Sequence, residues 1–368
     1  MAKGNRKWWY IIGCLVFIVY IFSASRPIAE ETVLKPRWIT SLGISTESNL
    51  PLPIENFSSS REEEGKLLAF RLGDRFGYVQ DDGKFSINQI SSGYVSLSEN
   101  FWAEYEALPS SIRIMNPRNE LILEISDPQG YPFFLDDRIF IMGREQNSLT
   151  ALGQGGEELW THDFPSPITC IDAGGGFVLA GTLDGAVMLL DSSGALVFTP
   201  FEPGGSRLSV ILGCAISRDA SRLAIISGID NQRFLLMEQF GDAYRVVHHE
   251  FLSGGFRRPV HIGFVDGGTK IAYEREEGLG IYDILYRTST SLSLSGEIEI
   301  LDNYGGDGFL FLVTSQGPKS KRFVAVRYPG TIVIDAPFRS DRAFLARRER
   351  FLFLGGDSAL ASLELEKK

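Results

Sequence analysis

The segment from Gly156 to Asp191 constrains the fold of this chain more than any other part of the sequence. Its short runs of strand-forming residues occupy 157–164, 168–172, 177–182 and 186–191. The last two runs are separated by Asp184-Gly185, and an Asp-Gly pair between apolar runs is the strongest short-range signal of a β-hairpin. The segment therefore predicts a β-meander.

Similar meanders follow one another from Lys66 to Glu366, with turn residues about every 8–12 positions. The repeat period is roughly 40 residues, which is typical of a four-stranded propeller blade. Strands of two kinds occur, because 309–313 is continuously apolar whereas 291–295 alternates polar with apolar residues. We therefore predict an all-β propeller of four-stranded blades, with eight blades favoured and seven as the alternative.

The last repeat unit, 341–366, contains only three strands, and an open ring would expose a sheet edge. The segment Arg37–Leu42 is predicted to supply the missing outer strand and close the ring. The apolar residues expected to pack there are Trp38, Ile39 and Leu42. The first unit, 66–90, lacks an obvious inner strand, for which Leu50–Phe57 is the candidate.

The start of the chain predicts a membrane anchor. Residues 1–7 carry three basic side chains and are expected to stay in the cytoplasm. Residues 8–24 are uncharged and mostly apolar, with a length at the short end of what spans a bilayer. The residues that mark the two ends of the anchor are Trp8, Trp9, Tyr10 and Ala24. A cleaved signal peptide is the alternative, since Ser23 and Ser25 have the spacing of a cleavage site.

Both interpretations of this segment export the rest of the chain. Residues 25–65 are rich in Pro, Ser and Glu and predict a flexible tether, apart from the closing strand at 37–42. The propeller then occupies 66–368. We expect a single-pass protein of a bacterial inner membrane, with its propeller in the periplasm or outside the cell.

Composition and cysteine usage exclude several function classes. The net charge of −10 argues against nucleic-acid binding, which needs a basic face. None of the cysteines, Cys14, Cys170 and Cys214, lies in a CxxC or Cys/His spacing that would hold zinc. We expect Cys170 and Cys214 to be buried free thiols, with a disulfide as the alternative.

No catalytic motif is present: the sequence lacks a GxSxG elbow, a Walker loop, GxGxxG and HExxH. The histidines are His162, His248, His249 and His261. His248 and His249 are adjacent on a predicted strand and so point to opposite faces, which excludes a shared metal. Four aspartates that precede glycine, Asp82, Asp184, Asp266 and Asp307, are expected in hairpin turns. We predict no enzymatic activity, no cofactor and no metal.

Two basic clusters could contact an anionic lipid headgroup or a protein partner. Arg257 and Arg258 form one, and Arg342, Arg347, Arg348 and Arg350 form the other. The candidates for such a contact are Arg257, Arg258, Arg347 and Arg348. The simpler interpretation, which we favour, is that these charges are solvated and discourage pairing of strand edges.

The central segment resembles the repeat of the quinoprotein-like (PQQ-like) propellers. In that repeat an outer strand ends in Trp, and a glycine-bounded strand, an Asp-Gly turn and a strand ending in Asp follow. The matching residues here are Gly156, Trp160, Gly181, Asp184, Gly185 and Asp191, with partial matches at Trp38, Asp82-Gly83 and Gly194. Other units look like WD40-type repeats that lack the Gly-His and Trp-Asp signatures.

Among such propellers, an exported and tethered one is similar to the scaffold lipoproteins of the outer-membrane β-barrel assembly machinery. That resemblance implies a protein-binding scaffold with a role in envelope assembly, whose partners are other proteins and the membrane. The alternative that the resemblance implies is an extracytoplasmic enzyme or cofactor binder with a ligand in the central funnel. No cofactor or calcium ligand of the quinoprotein enzymes can be matched residue by residue.

Overall fold

The computed structural model describes residues 8, 13–17, 32–43, 67–302, 306 and 308–367. Residues 8 and 13–17 are helical, and no helix within the described residues is long and apolar enough to cross a membrane. Most of the predicted anchor, including Trp9, Tyr10 and Ala24, lies outside the described residues. Trp8 is described and exposed.

The body of the chain is an all-β propeller of eight antiparallel sheets, which confirms the predicted fold and the favoured blade number. The first strand, β1 (Thr32–Ser41), belongs to the last blade. Blade 1 contains β2 (Leu68–Leu72), β3 (Arg75–Val79) and β4 (Phe85–Ile90); blade 2 contains β5 (Tyr94–Leu97), β6 (Trp102–Tyr105), β7 (Ser111–Met115) and β8 (Leu121–Ser126); blade 3 contains β9 (Gly130–Leu135), β10 (Arg138–Gly143), β11 (Ser148–Leu152) and β12 (Glu158–Asp163); blade 4 contains β13 (Ile168–Gly174), β14 (Phe177–Thr182) and β15 (Val187–Leu190).

The second half of the ring follows the same plan. Blade 5 contains β16 (Ile211–Ile216), β17 (Arg222–Ser227), β18 (Arg233–Phe240) and β19 (Ala243–Phe251); blade 6 contains β20 (Ile262–Val265), a 3₁₀ turn (Asp266–Gly268), β21 (Lys270–Arg275), β22 (Gly278–Asp283) and β23 (Thr288–Ser293); blade 7 contains β24 (Glu297–Leu301), β25 (Phe309–Gly317), β26 (Ser320–Arg327) and β27 (Thr331–Arg339); blade 8 contains β28 (Ala343–Arg348), β29 (Phe351–Gly356) and β30 (Ala359–Lys367), with β1 outermost.

The innermost strand of each blade is the first strand of its repeat unit, which in blade 8 is β28. Contacts between β28, β2, β5 and β9, and between β13, β16 and β20, run around the centre of the ring. Because neighbouring strands are antiparallel, the links between blades and the turns between second and third strands lie on one face of the ring, called the upper face here.

The apolar core lies between adjacent blades. The clusters that fill it draw residues from neighbouring sheets, for example Leu179 and Leu189 of blade 4 with Ile211 and Leu235 of blade 5. Middle strands such as β14 are buried almost throughout, whereas the outer strand β23 alternates exposed and half-buried residues. This difference follows from the two strand patterns in the sequence.

The outer strand β1 pairs antiparallel with β30 over its whole length. It begins at Thr32, five residues before the predicted start, and ends at Ser41. Trp38 and Leu42 are buried, but Ile39 is 51% exposed. The expectation that Ile39 packs in the core was wrong, because alternate residues of a strand face opposite sides and Trp38 fixes the inward set.

Blades 1 and 4 have three named strands within the described part of the chain. In blade 1 the innermost strand is β2, which touches the inner strands β28 and β5 of its neighbours. The expectation that this unit lacks its inner strand was therefore wrong, since the position without a described strand is the outer one. The candidate Leu50–Phe57 lies outside the described residues. In blade 4, single bridges from Leu196 and Phe201 partly cover the outer edge of β15.

Candidate functional site

Two tryptophans on outer strands bind the next blade in the ring. Trp160 of blade 3 donates its indole N–H to the carbonyl oxygen of Ser192 in blade 4, at 3.0 Å. Trp38 of blade 8 donates in the same way to Asp81 of blade 1, at 2.8 Å. Each indole packs on a turn glycine with a positive φ: Trp38 on Gly83 and Trp160 on Gly194. A side chain at either glycine would collide with the indole ring. The repeat residues behind the PQQ-like resemblance therefore hold blades together.

The Asp-Gly pairs lie in turns, as predicted, where they are described. The carboxylate of Asp82 accepts the backbone N–H of Lys84 at 3.0 Å, and that of Asp184 accepts the hydroxyl of Thr182. Asp266 begins the 3₁₀ turn of blade 6, whereas Asp307 lies outside the described residues. These contacts are those of turn residues rather than of catalytic acids.

His248 and His249 make separate aromatic contacts and do not form a shared site. His248 stacks on Tyr282 with ring centroids 4.2 Å apart, while His249 meets Phe251 edge to face. Burial lowers the pKa of His248, and it also lowers the pKa of His261, which lies near Glu274. Within the described residues no three His, Cys, Asp or Glu side chains are grouped as a metal site would require.

Three of the four arginines proposed for an anionic contact are instead engaged inside the ring. Arg258 binds the buried carboxylate of Glu274 through both terminal nitrogens. Arg347 is buried, with its guanidinium 5.3 Å from the ring centroid of Phe311 in blade 7. Arg348 donates to Asp81 of blade 1 at 3.1 Å. The favoured interpretation of these charges as solvated was therefore wrong for Arg347 and Arg348, whose side chains are largely buried between blades. A contact of Arg258, Arg347 or Arg348 with an anion or a partner stays a prediction.

Arg257 is the exception, since it is exposed and forms no hydrogen bond or ion pair with the described residues. It lines a cleft of about 470 Å³ on the upper face, together with Arg207, Leu208, Ile229, Asp230 and Gly255. We call this the Arg207–Arg257 cleft. Its lining comes from the link before blade 5, a turn within blade 5 and the link after it.

The Arg207–Arg257 cleft combines positive charge with an exposed apolar surface. The Arg207 side chain is 93% exposed and Leu208 is 58% exposed. Asp230 accepts hydrogen bonds from Ser206 and Arg207, and the bond from Ser206 holds the pKa of this carboxyl far below its usual range. Asp230 therefore stays ionised and orients Arg207 rather than exchanging protons. The two guanidinium groups beside a leucine make this cleft the candidate binding surface of the described residues.

A second concave region lies along the inner strands of blades 8, 1, 2 and 3. This channel groove has a volume of about 420 Å³ and is lined by Ala69, Arg71, Val95, Ser96, Leu97, Phe133, Phe134 and Phe344. Arg71 donates to the carbonyl of Val95 at 3.0 Å and is the only ionisable side chain among these described residues. Such walls suit an apolar group, and they hold no acid–base pair for catalysis.

Sequence reasoning did not find Arg207, Leu208, Ile229 or Asp230. The pair Arg207 and Leu208 is separated from the pair Ile229 and Asp230 by strands β16 and β17, and no local motif joins them. The predicted strand order could have brought these residues together, because links between blades and turns between second and third strands lie on the same upper face.

A family model for β-propeller proteins matches residues 1–368, the whole chain. The chain belongs to this family. One relative of this chain, an uncharacterised protein of Treponema pallidum (strain Nichols), is 25% identical over 363 residues, which is 99% of this chain and 95% of the relative.

Two solved structures resemble this β-propeller protein in fold. BamB from Moraxella catarrhalis superimposes with a TM-score of 0.55 and 13% identity, covering 83% of this chain and 98% of BamB. Apo AztD from Citrobacter koseri gives a TM-score of 0.54 and 12% identity, covering 79% of this chain and 88% of AztD. At these identities the likeness extends to the fold alone.

Proposed function

We propose that this β-propeller protein is a scaffold that binds other proteins through the upper face of its ring. The observation that carries the proposal is the Arg207–Arg257 cleft. On a chain with a net charge of −10, it places the unpaired Arg257 and the exposed Arg207 beside Leu208. Arginine is one of the residue types enriched in protein-binding hot spots.

The same surface indicates the chemistry of the partner. Two guanidinium groups attract carboxylates, and they can bind them with paired hydrogen bonds. Leu208 and Ile229 add apolar surface to the same cleft. The segment that fits is one that carries an acidic residue close to an apolar residue, presented by another protein.

The scaffold is proposed to work outside the cytoplasm, tethered by residues 8–24 and placed in the inner membrane. The basic residues 1–7 and the apolar run that follows support this location. A role in envelope assembly follows from the sequence resemblance to the scaffold lipoproteins of the outer-membrane β-barrel assembly machinery, and the lack of a catalytic motif supports a non-enzymatic protein.

The test is in-cell photo-crosslinking of the full-length protein with a photoreactive residue at position 208. We expect one discrete crosslinked protein, reduced roughly tenfold or more by Arg257→Glu, since a reversed charge at a hot spot repels the acidic partner. Arg113→Glu is the matched control, because Arg113 is exposed on β7, far from the cleft, and should leave the product unchanged. Equal yields from both variants would exclude the cleft as the binding site.

The channel groove supports a second candidate function, a ligand-binding propeller with an apolar ligand in the central funnel. Phe133, Phe134 and Phe344 provide the walls, and Arg71 provides one charge at the side. The same experiment separates the two functions, because substitution of Arg71 or Phe134 should not affect a product formed at the cleft.

A further inference from the structure

Two cysteines from neighbouring blades meet at the boundary between blade 4 and blade 5. Cys170 lies on the inner strand β13, and Cys214 lies on the inner strand β16. Cys214 is 7% exposed and Cys170 is half-buried, and both pack in the apolar cluster that joins the two blades. Both are free thiols in this structure.

The two strands are held together on either side of the cysteines. One residue before Cys170, the hydroxyl of Thr169 donates to the carbonyl of Ile211 on β16. Two residues after Cys170, the carboxylate of Asp172 accepts the backbone N–H of Ile216 at 2.8 Å. These bonds between blades bracket both cysteines, so the strands cannot separate at this point without breaking them.

The sulfur atoms of Cys170 and Cys214 both lie near strand β14. The Cys214 thiol lies 3.8 Å from the carbonyl oxygen of Leu179, and a Cβ placed on Gly181 would lie 2.7 Å from the Cys170 sulfur. Both sulfurs therefore lie beside the same stretch of β14, between Leu179 and Gly181. The small Gly181 leaves the space that the Cys170 sulfur occupies.

We propose that Cys170 and Cys214 form a reversible disulfide that cross-links the inner strands of blades 4 and 5. The proposal rests on the geometry between the blades, and it holds whichever protein the upper face binds. A disulfide needs two backbones held close together, and the two hydrogen bonds hold β13 and β16 side by side on either side of the cysteines.

The oxidant is a disulfide compound, such as oxidised glutathione. The thiolate of Cys170 attacks one sulfur of the oxidant, which breaks the oxidant's S–S bond and releases one thiolate. Cys214 then loses its proton and attacks the Cys170 sulfur, which expels the second thiolate. The two protein thiols give up two electrons and two protons, and the oxidant becomes two thiols.

The environments of the two residues set this order of attack. The hydrogen bond with Cys170 and the burial of the side chain raise the pKa of the Cys214 thiol, so it is the poorer first nucleophile. Cys170 is the more accessible sulfur and is the one that meets the oxidant first.

The experiment uses the full-length protein in detergent with Cys14→Ser, which leaves the two thiols of interest. The protein is incubated with oxidised glutathione, quenched in acid, and its intact mass and remaining free thiols are measured. We expect a loss of two hydrogens, no bound glutathione, no free thiol and no covalent dimer. Melting should occur roughly 3–8 °C higher than for the reduced protein, because the bond closes a long loop.

Two matched variants assign the roles of the sulfurs. In the Cys14→Ser background, Cys214→Ser should accumulate one glutathione on Cys170, whereas Cys170→Ser should remain unmodified. Two free thiols or bound glutathione in the oxidised parent protein would overturn the proposal, and so would an oxidised form that melts no higher than the reduced form. An acid-quenched sample of whole cells reports separately on the proposed location, since a reduced pair there would argue against an oxidising compartment.

Discussion

Arg257 and Arg258 are neighbours in the chain with opposite surroundings. Arg258 places its terminal nitrogens 2.7 and 3.1 Å from the two carboxylate oxygens of Glu274, whose side chain is 2% exposed. The backbone N–H of His261 donates to the same carboxylate at 3.2 Å. Arg257 is exposed and unpaired among the described residues. One arginine thus compensates a buried charge while the other is available to a partner.

Arg258→Ala should destabilise the protein by about 2–4 kcal/mol, because it leaves the Glu274 carboxylate buried with a single backbone donor. This is less than a fully buried pair would lose, since the Arg258 side chain is 37% exposed. Arg257→Ala is the matched control and should change stability by about 0.5 kcal/mol or less. Urea unfolding measures both, and adding Glu274→Gln to Arg258→Ala should recover part of the loss. Equal effects of the two single variants would contradict this account.

The sequence did not predict which arginines form contacts between blades. Arg348 is recognisable as a basic residue near the end of the chain, but its partner Asp81 is 267 positions away. Arg347 lies beside Phe311 of the preceding blade for the same reason, which is that blades pack on their neighbours. No local pattern indicates which charges face such a neighbour. By contrast, the hairpin roles of Asp82 and Asp184 are local, and the sequence predicted them.

At the scale of the element, β1 joins the two ends of the chain. Its residues pair with β30 from Thr32 to Ser41, and the side chain of Lys35 lies 3.2 Å from Glu366. Period-two alternation placed Trp38 inward and Ile39 outward, which the hydrophobicity of Ile39 alone did not reveal. The predicted start of β1 was five residues too late, because Pro36 was taken to interrupt the strand. In the structure Pro36 lies at a register shift, where a strand tolerates proline.

The pairing of β1 predicts the outcome of two truncations. A chain that begins at Thr32 keeps the whole strand and should melt at the temperature of the intact protein. A chain that begins after Gly43 loses Trp38 and Leu42 and exposes the edge of β30, so it should melt far lower or aggregate. Thermal melting monitored by circular dichroism compares them.

Point variants provide the control for that comparison. Trp38→Ala should cost about 3–5 kcal/mol, since it removes a buried indole and its bond to Asp81, whereas Ile39→Ala should cost less than about 1 kcal/mol. If the two truncated chains melt alike, ring closure does not depend on β1.

At the scale of the whole molecule, the core lies between blades, so each blade is stable only beside its neighbours. The clusters at the blade 4–blade 5 and blade 5–blade 6 boundaries contain fully buried residues from both sheets, including Leu179 with Leu223 and Ala224 with Tyr273. In repeat architectures of this kind each repeat is stabilised by its contacts with its nearest neighbours. The repeat period along the sequence predicted this, because no composition break interrupts it from Lys66 to Glu366.

A protease site inserted at the exposed Gly204, in the link between blades 4 and 5, tests whether the ring is one unit. After cleavage, the two fragments should elute together on native size exclusion and unfold in a single transition, because both are held by the blade 4–blade 5 contact and by the pairing of β1 with β30. Denaturant should be needed to separate them. The uncut protein with the same insertion is the control for any loss caused by the insertion itself. Two fragments that separate without denaturant, each with its own melting transition, would instead show two domains that fold independently.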